Sequence, residues 1–520
     1  MKKISVQKDL AWFLFLAAAI LAFSSIPFWA ANSSETNDLL FRGTYFDEAD
    51  YAVHLSMMQA GRMGDWAYQM RFTDEEHPAA FLRLFYIALG HVSKWIALDV
   101  ESTFHLARWF FGFLALYFMY QLCRKILPSQ NQARAAFLLA AVGAGAGWLQ
   151  LILGAPLEPI SPIDFWLIDA YIFFSISLFP SFSFSLALMA LALNLFLDYL
   201  ETGKWQTVLW VSLLAILSQT TNPISFAVVD AAFAGAVFSL WWKNGKIEYR
   251  HLLALSIIAV VQIPLLVYNF LVLNRDPFWS QFTAQNQTLS PPPIFYFWGF
   301  APFWLFALFG IFRAFRERNS SLLAMTAWVI GGFALAYLPV AIQRRFVLGI
   351  TLPLAVLAIH GLGSLLKRIP IFAKRENLIY FSYILLASVS SIYLSLGLSL
   401  FLKTLPAEKF YPRDVESALV WLSQNAAPND FVLADVPTSQ LIAQRTQLKV
   451  YVGHEMETLH YEEKKEEMEL FFDGKMPDGW LAETQVKWFI ADKGDNLNTS
   501  GLEVLYENES VIVYRVVGKY

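Results

Sequence analysis

The sequence is poor in cysteine and in charged residues. Cys123 is its single cysteine among 520 residues, which excludes intrachain disulfides and cysteine-based zinc sites. Only 15% of the residues are charged, whereas an ordinary soluble domain has about 25%. A soluble core could not bury the corresponding apolar surface, but a lipid bilayer can. The composition therefore predicts a membrane protein.

Three common sequence motifs are missing as well. The chain has no Walker A motif, no GxGxxG after a predicted strand and no HExxH. ATP-driven transport and zinc proteolysis are therefore unsupported. No basic stripe lies outside the short loops between apolar runs, so we expect no binding to nucleic acid.

Apolar and aromatic residues are abundant, and charge is unevenly distributed. Hydrophobic residues make up 57% of the chain, and there are 18 Trp, a residue that concentrates at membrane–water interfaces. Residues 405–520 have 20 acidic and 11 basic side chains, against 22 and 27 in the rest. This contrast predicts two domains, a membrane domain over 1–404 and a soluble acidic domain over 405–520.

The membrane domain is predicted to be a bundle of 12 or 13 spans, because a span needs about 20 apolar residues. The first run, near the N-terminus, is longer than the core of a typical signal peptide, and we expect it to be retained. A further run at 165–179 could be a thirteenth, short span or an interfacial helix. The twelve runs cover 10–30, 79–97, 103–122, 133–153, 181–200, 207–221, 224–242, 252–273, 294–312, 322–339, 346–366 and 378–402.

Basic residues in short loops predict the orientation. Lys2, Lys3 and Lys8 indicate an N-terminus on the cytoplasmic side, and the basic loop at 367–375 indicates that the tail lies outside. This arrangement needs an odd number of spans. Either 165–179 spans as a thirteenth segment, or 79–97 does not span fully.

The two regions outside the predicted spans differ in character. The loop at 31–78 is expected to lie outside and to contain interfacial helices. The tail is predicted to be a small α/β domain. Its helices are expected at 413–424 and 462–472, and its strands at 431–436, 449–452, 486–491, 503–506 and 511–516.

The acidic stretch around Asp47 is the strongest candidate for chemistry. Asp47, Glu48 and Asp50 are followed directly by Tyr51. If Asp47 begins a helix, Asp47 and Asp50 share one face. A crowded carboxylate beside an apolar surface can have a raised pKa and act as a general base. The alternative is ordinary capping, since acidic residues are common in the first turn of a helix.

Other polar residues could bind a ligand. Glu76 and His77 precede an apolar run and could contact a substrate hydroxyl or a metal, or could be a solvated helix start. Arg344 and Arg345 form a pair that is expected outside, where arginine can bind phosphate or simply lipid headgroups. His454 lies in a loop after a predicted strand, which is a common position for ligand sites.

The first 125 residues resemble the GT-C superfamily of membrane glycosyltransferases, including protein O-mannosyltransferases and aminoarabinose transferases. The resemblance is carried by Asp47-Glu48 after the first span, by His77-Pro78 before the next, and by the span at 107–125 with its paired basic end. The tail is similar to those of uncharacterised bacterial members. The His-Pro pair lacks the second proline often found there. No classical second-loop aspartate motif is obvious, although Asp164 and Asp169 are placed for it.

The resemblance implies an inverting transfer of a sugar from a polyprenyl-phosphate donor to a glycan, lipid or protein acceptor outside the cytoplasm of a bacterial cell. Asp47 would be the base, and Glu48 would position the acceptor or a cation. A divalent cation is used by some members of the superfamily and not by others. Fixed positive charge favours Arg344 and Arg345 as the contacts of the lipid phosphate. The other expected substrate contacts are Asp50, Tyr51, Glu76, His77, Asp164, Asp169 and His454.

Two other classes of function are compatible with the sequence. A secondary transporter would need polar groups within the membrane, and Asp230 or the helix break at Asn222-Pro223 could serve. A non-catalytic protein of cell-envelope polymer assembly would use the tail as its working part.

Overall fold

The computed structural model describes residues 2–154, 161–224, 226–477, 479–495 and 501–517. The chain forms two compact units. Unit 1 comprises Met1–Ile26, Leu106–Asn269 and Thr288–Gly397, and unit 2 comprises Pro27–His105, Phe270–Gln287 and Leu398–Tyr520. The tail thus folds together with the first loop, whereas the sequence suggested a boundary at residue 404.

Unit 1 contains helices and, in the part that the structure describes, no strand. Its three short 3-10 turns are Ile163–Phe165, Ile168–Ala170 and Gln343–Val347. Four further helices include a boundary between the units: Ile26–Asn32, Val100–Ile126, Tyr249–Arg275 and Val389–Leu402. The helices within unit 1 are Lys2–Ser24, Gln130–Val142, Gly147–Ile152, Ile172–Leu178, Pro180–Thr202, Trp205–Ser218, Ala227–Asn244, Pro293–Gly299, Ala301–Glu317, Ser320–Leu335, Thr351–Leu366, Pro370–Ala373 and Glu376–Ala387.

Fewer helices have the length and apolarity of a membrane span than the sequence predicted. Among the described residues five helices qualify, or up to seven if each of two bent pairs is one span. The expected span at 79–97 contains only the 12-residue helix Leu84–Trp95, which is too short for a hydrocarbon core of about 30 Å. The run at 165–179 likewise forms only Ile172–Leu178 and two short turns.

Breaks inside apolar runs account for part of the difference. The run at 133–153 is divided into Gln130–Val142 and Gly147–Ile152. Helices Pro293–Gly299 and Ala301–Glu317 meet at 91°. Pro302 lies in the first turn of the second helix, where its ring excludes continuation of the preceding one. Hydropathy cannot detect such breaks, because the residues on both sides are apolar.

Unit 2 combines helices with two sheets. Strands β1 (Leu39–Phe41) and β2 (Phe410–Pro412) pair antiparallel. The larger sheet has the order β4-β3-β5-β7-β6, with β3 parallel to β4 and β5, and β7 antiparallel to β5 and β6. These strands are β3 (Phe431–Leu433), β4 (Lys449–Val450), β5 (Val486–Asp492), β6 (Leu502–Glu507) and β7 (Val511–Val516). The helices are Glu48–Met63, Leu84–Trp95, Pro277–Gln285, Arg413–Asn425, Val436–Arg445, Tyr461–Phe472 and Trp480–Glu483.

An apolar core supports the larger sheet. Leu433, Val486 and Phe489 are fully buried beneath helix Tyr461–Phe472, whose Phe471 packs edge-on against Phe489. Strands β5 and β7 are apolar along most of their length, and their Val486, Phe489, Ala491 and Tyr514 contribute to this core. The sheet therefore supports the loop that follows β4.

Two glycines allow helices Glu48–Met63 and Leu84–Trp95 to approach closely. A Cβ atom at Gly61 would lie 2.0 Å from the Ile87 carbonyl oxygen, and one at Gly90 would lie 2.1 Å from that of Met58. Such backbone contact leaves no room for a larger side chain. This close approach fixes the helix that begins with the acidic stretch.

We expect Gly90→Ala to destabilise unit 2 by about 1–3 kcal/mol, the usual effect of overpacking. Thermal unfolding of the purified protein in detergent measures the change. Gly494→Ala is the matched control, since an added Cβ there has no atom within 4 Å. Equal midpoints for the two variants would contradict the close contact.

Candidate active site

Asp47 begins helix Glu48–Met63 in a strained conformation. Its backbone is left-handed, with φ of 57° and ψ of 62°, and its carboxylate accepts a hydrogen bond from the Asp50 N–H at 3.2 Å. A left-handed conformation costs a non-glycine residue roughly 1–2 kcal/mol, and such strain is found preferentially at functional sites. Capping and a chemical role are therefore both compatible with this residue.

The surroundings of Asp47 favour its protonated form. Burial raises the pKa of Asp47 most, the nearby Asp50 carboxylate adds to the effect, and the resulting pKa is about 7. The Asp50 N–H and His454 act in the opposite direction. A carboxyl group that titrates near neutral pH can accept a proton from a substrate and release it again.

His454 contacts the same turn of helix. The residue is 4% exposed, and its Nε2 lies 3.4 Å from Asp50 Oδ1. The N–H groups of Met456 and Glu457 donate to Nδ1 at 2.9 and 3.2 Å. Because Nδ1 accepts, the proton of the neutral ring is on Nε2 and faces Asp50. Both ring nitrogens are thus in use, and the predicted role of His454 as a direct substrate contact is not favoured.

Glu457 and Arg83 extend this cluster, although the sequence did not single them out. Glu457 Oε1 lies 2.5 Å from Arg83 Nη1, and Glu457 Oε2 accepts from the Tyr68 hydroxyl at 3.1 Å. The Glu457 side chain is 2% exposed, so its charge needs this partner. The short spacing between His454 and Glu457 was the available signal for Glu457. Nothing local marked Arg83.

The remaining residues of the acidic stretch have structural partners. Glu48 forms an ion pair with Lys409. Tyr51 is fully buried, and its ring packs edge-on against Phe104 at 5.1 Å between centroids. Substrate contact by Tyr51 stays a prediction, and its burial in the core does not favour it.

His77 is held by backbone groups on both sides. Its Nδ1 lies 2.8 Å from the Glu75 carbonyl oxygen, and its Nε2 accepts from the Met70 N–H at 2.9 Å. Burial lowers the pKa of His77, which suits a neutral ring that donates once and accepts once. The ring stacks on Phe278 at 3.9 Å. His77 therefore stabilises the loop in which it lies. The neighbouring Glu76 is exposed.

Unit 1 contains a second pair of predicted residues. Arg345 Nη1 donates to both oxygens of the buried Asp169, at 2.8 and 3.0 Å, and the Gly349 N–H donates to the Asp169 carbonyl. The neighbouring guanidinium of Arg344 lies over the Trp166 ring, 5.6 Å from its centroid. Asp169 thus fixes Arg345, a pairing that sequence order alone did not indicate.

Asp164 and Asp230 lie elsewhere in unit 1. Asp164 is 1% exposed and accepts from the Gly147 N–H at 3.0 Å, at the break between two helices. Asp230 accepts from the Gln262 amide at 3.0 Å. Asp164 therefore supports a helix start. In the described part of the chain, no three His, Cys, Asp or Glu residues are grouped to hold a metal ion, and a divalent cation stays a prediction.

Comparison with known proteins gives a clear result for the fold. No family model and no curated protein matches the sequence. The structure is similar to that of ArnT from Cupriavidus metallidurans bound to undecaprenyl phosphate, with a TM-score of 0.50, 13% identity and 98% of each chain covered. The structure is also similar to that of the Archaeoglobus fulgidus oligosaccharyltransferase tethered with an acceptor peptide. The TM-score is 0.51 and the sequence identity 14%, over 92% of this chain and 69% of the oligosaccharyltransferase.

A third similar structure is that of arabinofuranosyltransferase AftD from Mycobacteria. The TM-score is 0.52 and the sequence identity 12%, over 98% of this chain and 42% of the AftD chain. All three are GT-C glycosyltransferases. The chain has the GT-C fold. The resemblance inferred from residues 47–125 is confirmed at this level, and with its apolar helices the chain is an integral membrane protein.

The raised pKa of Asp47 predicts how its replacement changes stability. The folded-state value of about 7 exceeds the unfolded value of about 3.9, so stability is lost as pH rises between the two. Asp47→Asn keeps a capping side chain but cannot ionise. We expect its stability relative to the parent to be greater at pH 8 than at pH 5 by more than about 1 kcal/mol, because a tenfold change in ionisation corresponds to about 1.4 kcal/mol.

Thermal unfolding at the two pH values measures this effect. Asp435→Asn is the matched control, since Asp435 caps a helix of unit 2 by the same type of hydrogen bond but with a φ of −59°. A difference for Asp47→Asn that does not change with pH would show that Asp47 is not a group with a raised pKa.

Proposed function

We propose that this GT-C protein is a glycosyltransferase that moves a sugar from a polyprenyl-phosphate-linked donor to an acceptor hydroxyl. The observation that carries the proposal is Asp47, a largely buried carboxyl group with a pKa of about 7 in a strained backbone conformation. A base that titrates near neutral pH combines a large ionised fraction with a useful affinity for the proton.

Asp47 would act as the general base of an inverting transfer. Its carboxylate takes the proton of the acceptor hydroxyl while that oxygen attacks the anomeric carbon of the sugar. The bond between this carbon and the phosphate oxygen breaks, and the polyprenyl phosphate leaves with the electron pair. Glu48, which shares the first turn, would position the acceptor.

The leaving phosphate needs positive charge that is already in place. Arg345 meets this need, because the buried Asp169 holds its guanidinium at 2.8 Å while 26% of the arginine side chain stays exposed. Arg344 would assist through its own charge. This step rests on the local geometry of unit 1 and on the chemistry of phosphate recognition.

Two of the similar proteins support a lipid-phosphate donor and a macromolecular acceptor, since ArnT was solved with undecaprenyl phosphate and the oligosaccharyltransferase with an acceptor peptide. For this chain we propose a hexosyl or pentosyl transfer to a glycan, lipid or protein. We place it at the outer face of a bacterial plasma membrane, with the N-terminus cytoplasmic and the tail outside, on the basis of the basic loops.

Asp47→Asn and Asp47→Ala should lower sugar transfer by about 100-fold or more, the usual contribution of a general base. In the parent protein the rate should rise with pH through about 7, because only the ionised carboxylate accepts a proton. Initial rates with purified protein in lipid nanodiscs and a panel of polyprenyl-phosphate sugars measure both effects.

Asp435→Asn serves again as the control and should transfer sugar at the parent rate. The folded state of each variant is checked by its thermal midpoint. Turnover of Asp47→Asn within a few-fold of the parent would remove Asp47 from the role of base.

Arg345→Ala should raise the KM for the donor about tenfold or more with little change in the KM for the acceptor, because a charge-assisted contact to phosphate contributes roughly 1.5–3 kcal/mol. Arg345→Lys keeps the charge beside Asp169 but loses the planar fork, and an intermediate effect is expected. Steady-state kinetics with each substrate varied in turn measure the difference.

Arg313→Ala is the control for loss of an arginine in unit 1, since Arg313 forms an ion pair with Glu317 within one helix. Equal losses for donor and acceptor in Arg345→Ala would indicate that the pair with Asp169 is only structural.

A further inference from the structure

A short loop of the tail, residues 453–458, is fastened to the segment that contains Arg71–Thr73. The Thr458 hydroxyl donates to the Phe72 carbonyl at 2.6 Å and accepts from the N–H groups of Gly453 and His454 at 3.2 and 3.3 Å. The Val450 N–H, just before the loop, donates to the Arg71 carbonyl at 2.8 Å. All of these residues are buried. The loop therefore has a single, well-defined position on its neighbour.

Two further contacts fix the same loop. The amide of Gln285 donates to the carbonyl oxygens of Glu455 and Thr458, both at 2.7 Å. The buried Glu457 carboxylate pairs with Arg83 at 2.5 Å. The loop is thus attached on several sides. A side chain of the loop that faces the acidic stretch is therefore held in place.

His454 is the side chain of this loop that reaches the acidic stretch. Two N–H groups of the loop itself donate to Nδ1, so the ring cannot rotate without losing both bonds. Its Nε2–H is thereby aimed at Asp50, 3.4 Å away. Asp50 in turn donates its backbone N–H to the Asp47 carboxylate. One path of contacts leads from the tail to the proposed base.

We propose that His454 is a positioning residue for the reaction: it holds the Asp50 side chain, and through it the first turn of helix Glu48–Met63, so that the Asp47 carboxylate keeps its orientation. This inference rests on the proposed function. It makes the tail part of the active site, through a residue that does not touch the substrate.

The strain at Asp47 explains why such support is needed. Its left-handed backbone would relax if the first helical turn could move, because strained conformations persist only where the surroundings hold them. A small shift of a reacting group can lower a rate by about 100-fold. A buried, bonded histidine beside the turn prevents that shift.

Two substitutions separate the two sides of the imidazole. His454→Asn keeps an oxygen near the position of Nδ1, so the N–H groups of Met456 and Glu457 retain an acceptor, but it loses the donor to Asp50. His454→Gln places an amide N–H near the position of Nε2 and loses the loop acceptor. Both variants are tested as the full chain in nanodiscs, with the donor and acceptor that the parent uses.

We expect His454→Asn to lower kcat about tenfold or more with the KM for the donor nearly unchanged, since it affects orientation and not binding. His454→Gln should retain more of kcat than His454→Asn. If His454 only stabilises its loop, the order is reversed, because His454→Asn keeps that function and His454→Gln does not. The reversed order, or a parent-like kcat for His454→Asn, overturns the proposal.

A double variant completes the test. If His454 acts through Asp50, His454→Asn should lower kcat much less in an Asp50→Asn background than in the parent; additive losses overturn the proposed path. The outcome also distinguishes this inference from the function itself. If the parent protein transfers no sugar, both the proposed function and the role of His454 are wrong. If the parent is active and His454→Asn has the kcat of the parent, only the role of His454 is wrong.

Discussion

The contact between His454 and Asp50 joins two segments that are far apart in sequence, and the arrangement of the candidate site depends on it. Asp50 donates its N–H to the capping carboxylate of Asp47, and its own carboxylate meets His454. His454 in turn is oriented by the loop after β4. In the proposed site, the orientation of the Asp47 carboxylate thus depends on a tail that begins more than 300 residues later.

The electrostatics of unit 2 follow from where its charges are buried. Glu457 is paired with Arg83, and Lys464 with Asp74 and Glu75. Asp47 differs, because burial and a neighbouring carboxylate both favour its neutral form. Buried charges that are paired are stabilised in place, whereas a buried carboxyl without such a partner changes its pKa instead. That contrast is the reason why we propose Asp47 for proton transfer.

Close backbone packing serves the same arrangement. The glycine contacts between helices Glu48–Met63 and Leu84–Trp95 hold the helix that Asp47 begins. Arg83 precedes the second of these helices, also with a left-handed backbone, at a φ of 52°. Two strained residues therefore stand at the starts of two tightly packed helices, and each carries an ionisable side chain of the candidate site.

The residue pattern was enough to mark Asp47, because three carboxylates at the start of a helix are visible locally. Short apolar runs also predicted β3 to β7 of the tail to within a few residues, whereas β2 was not predicted. The residue pattern did not indicate that Asp169 pairs with Arg345 or that Arg83 pairs with Glu457. These are long-range contacts that no local pattern encodes.

Fewer of the described helices have the length and apolarity of a span than hydropathy predicted, for a related reason. Residues 79–97 and 133–153 are apolar, but the first run contains only a short helix and the second is divided by a helix break. Composition carries no information about where the backbone changes direction. By itself the sequence determined a membrane protein with an acidic tail and a candidate base at Asp47, because these follow from composition and local spacing. Only the tertiary structure brought His454 of the tail beside Asp50, because burial and orientation arise when distant segments pack together.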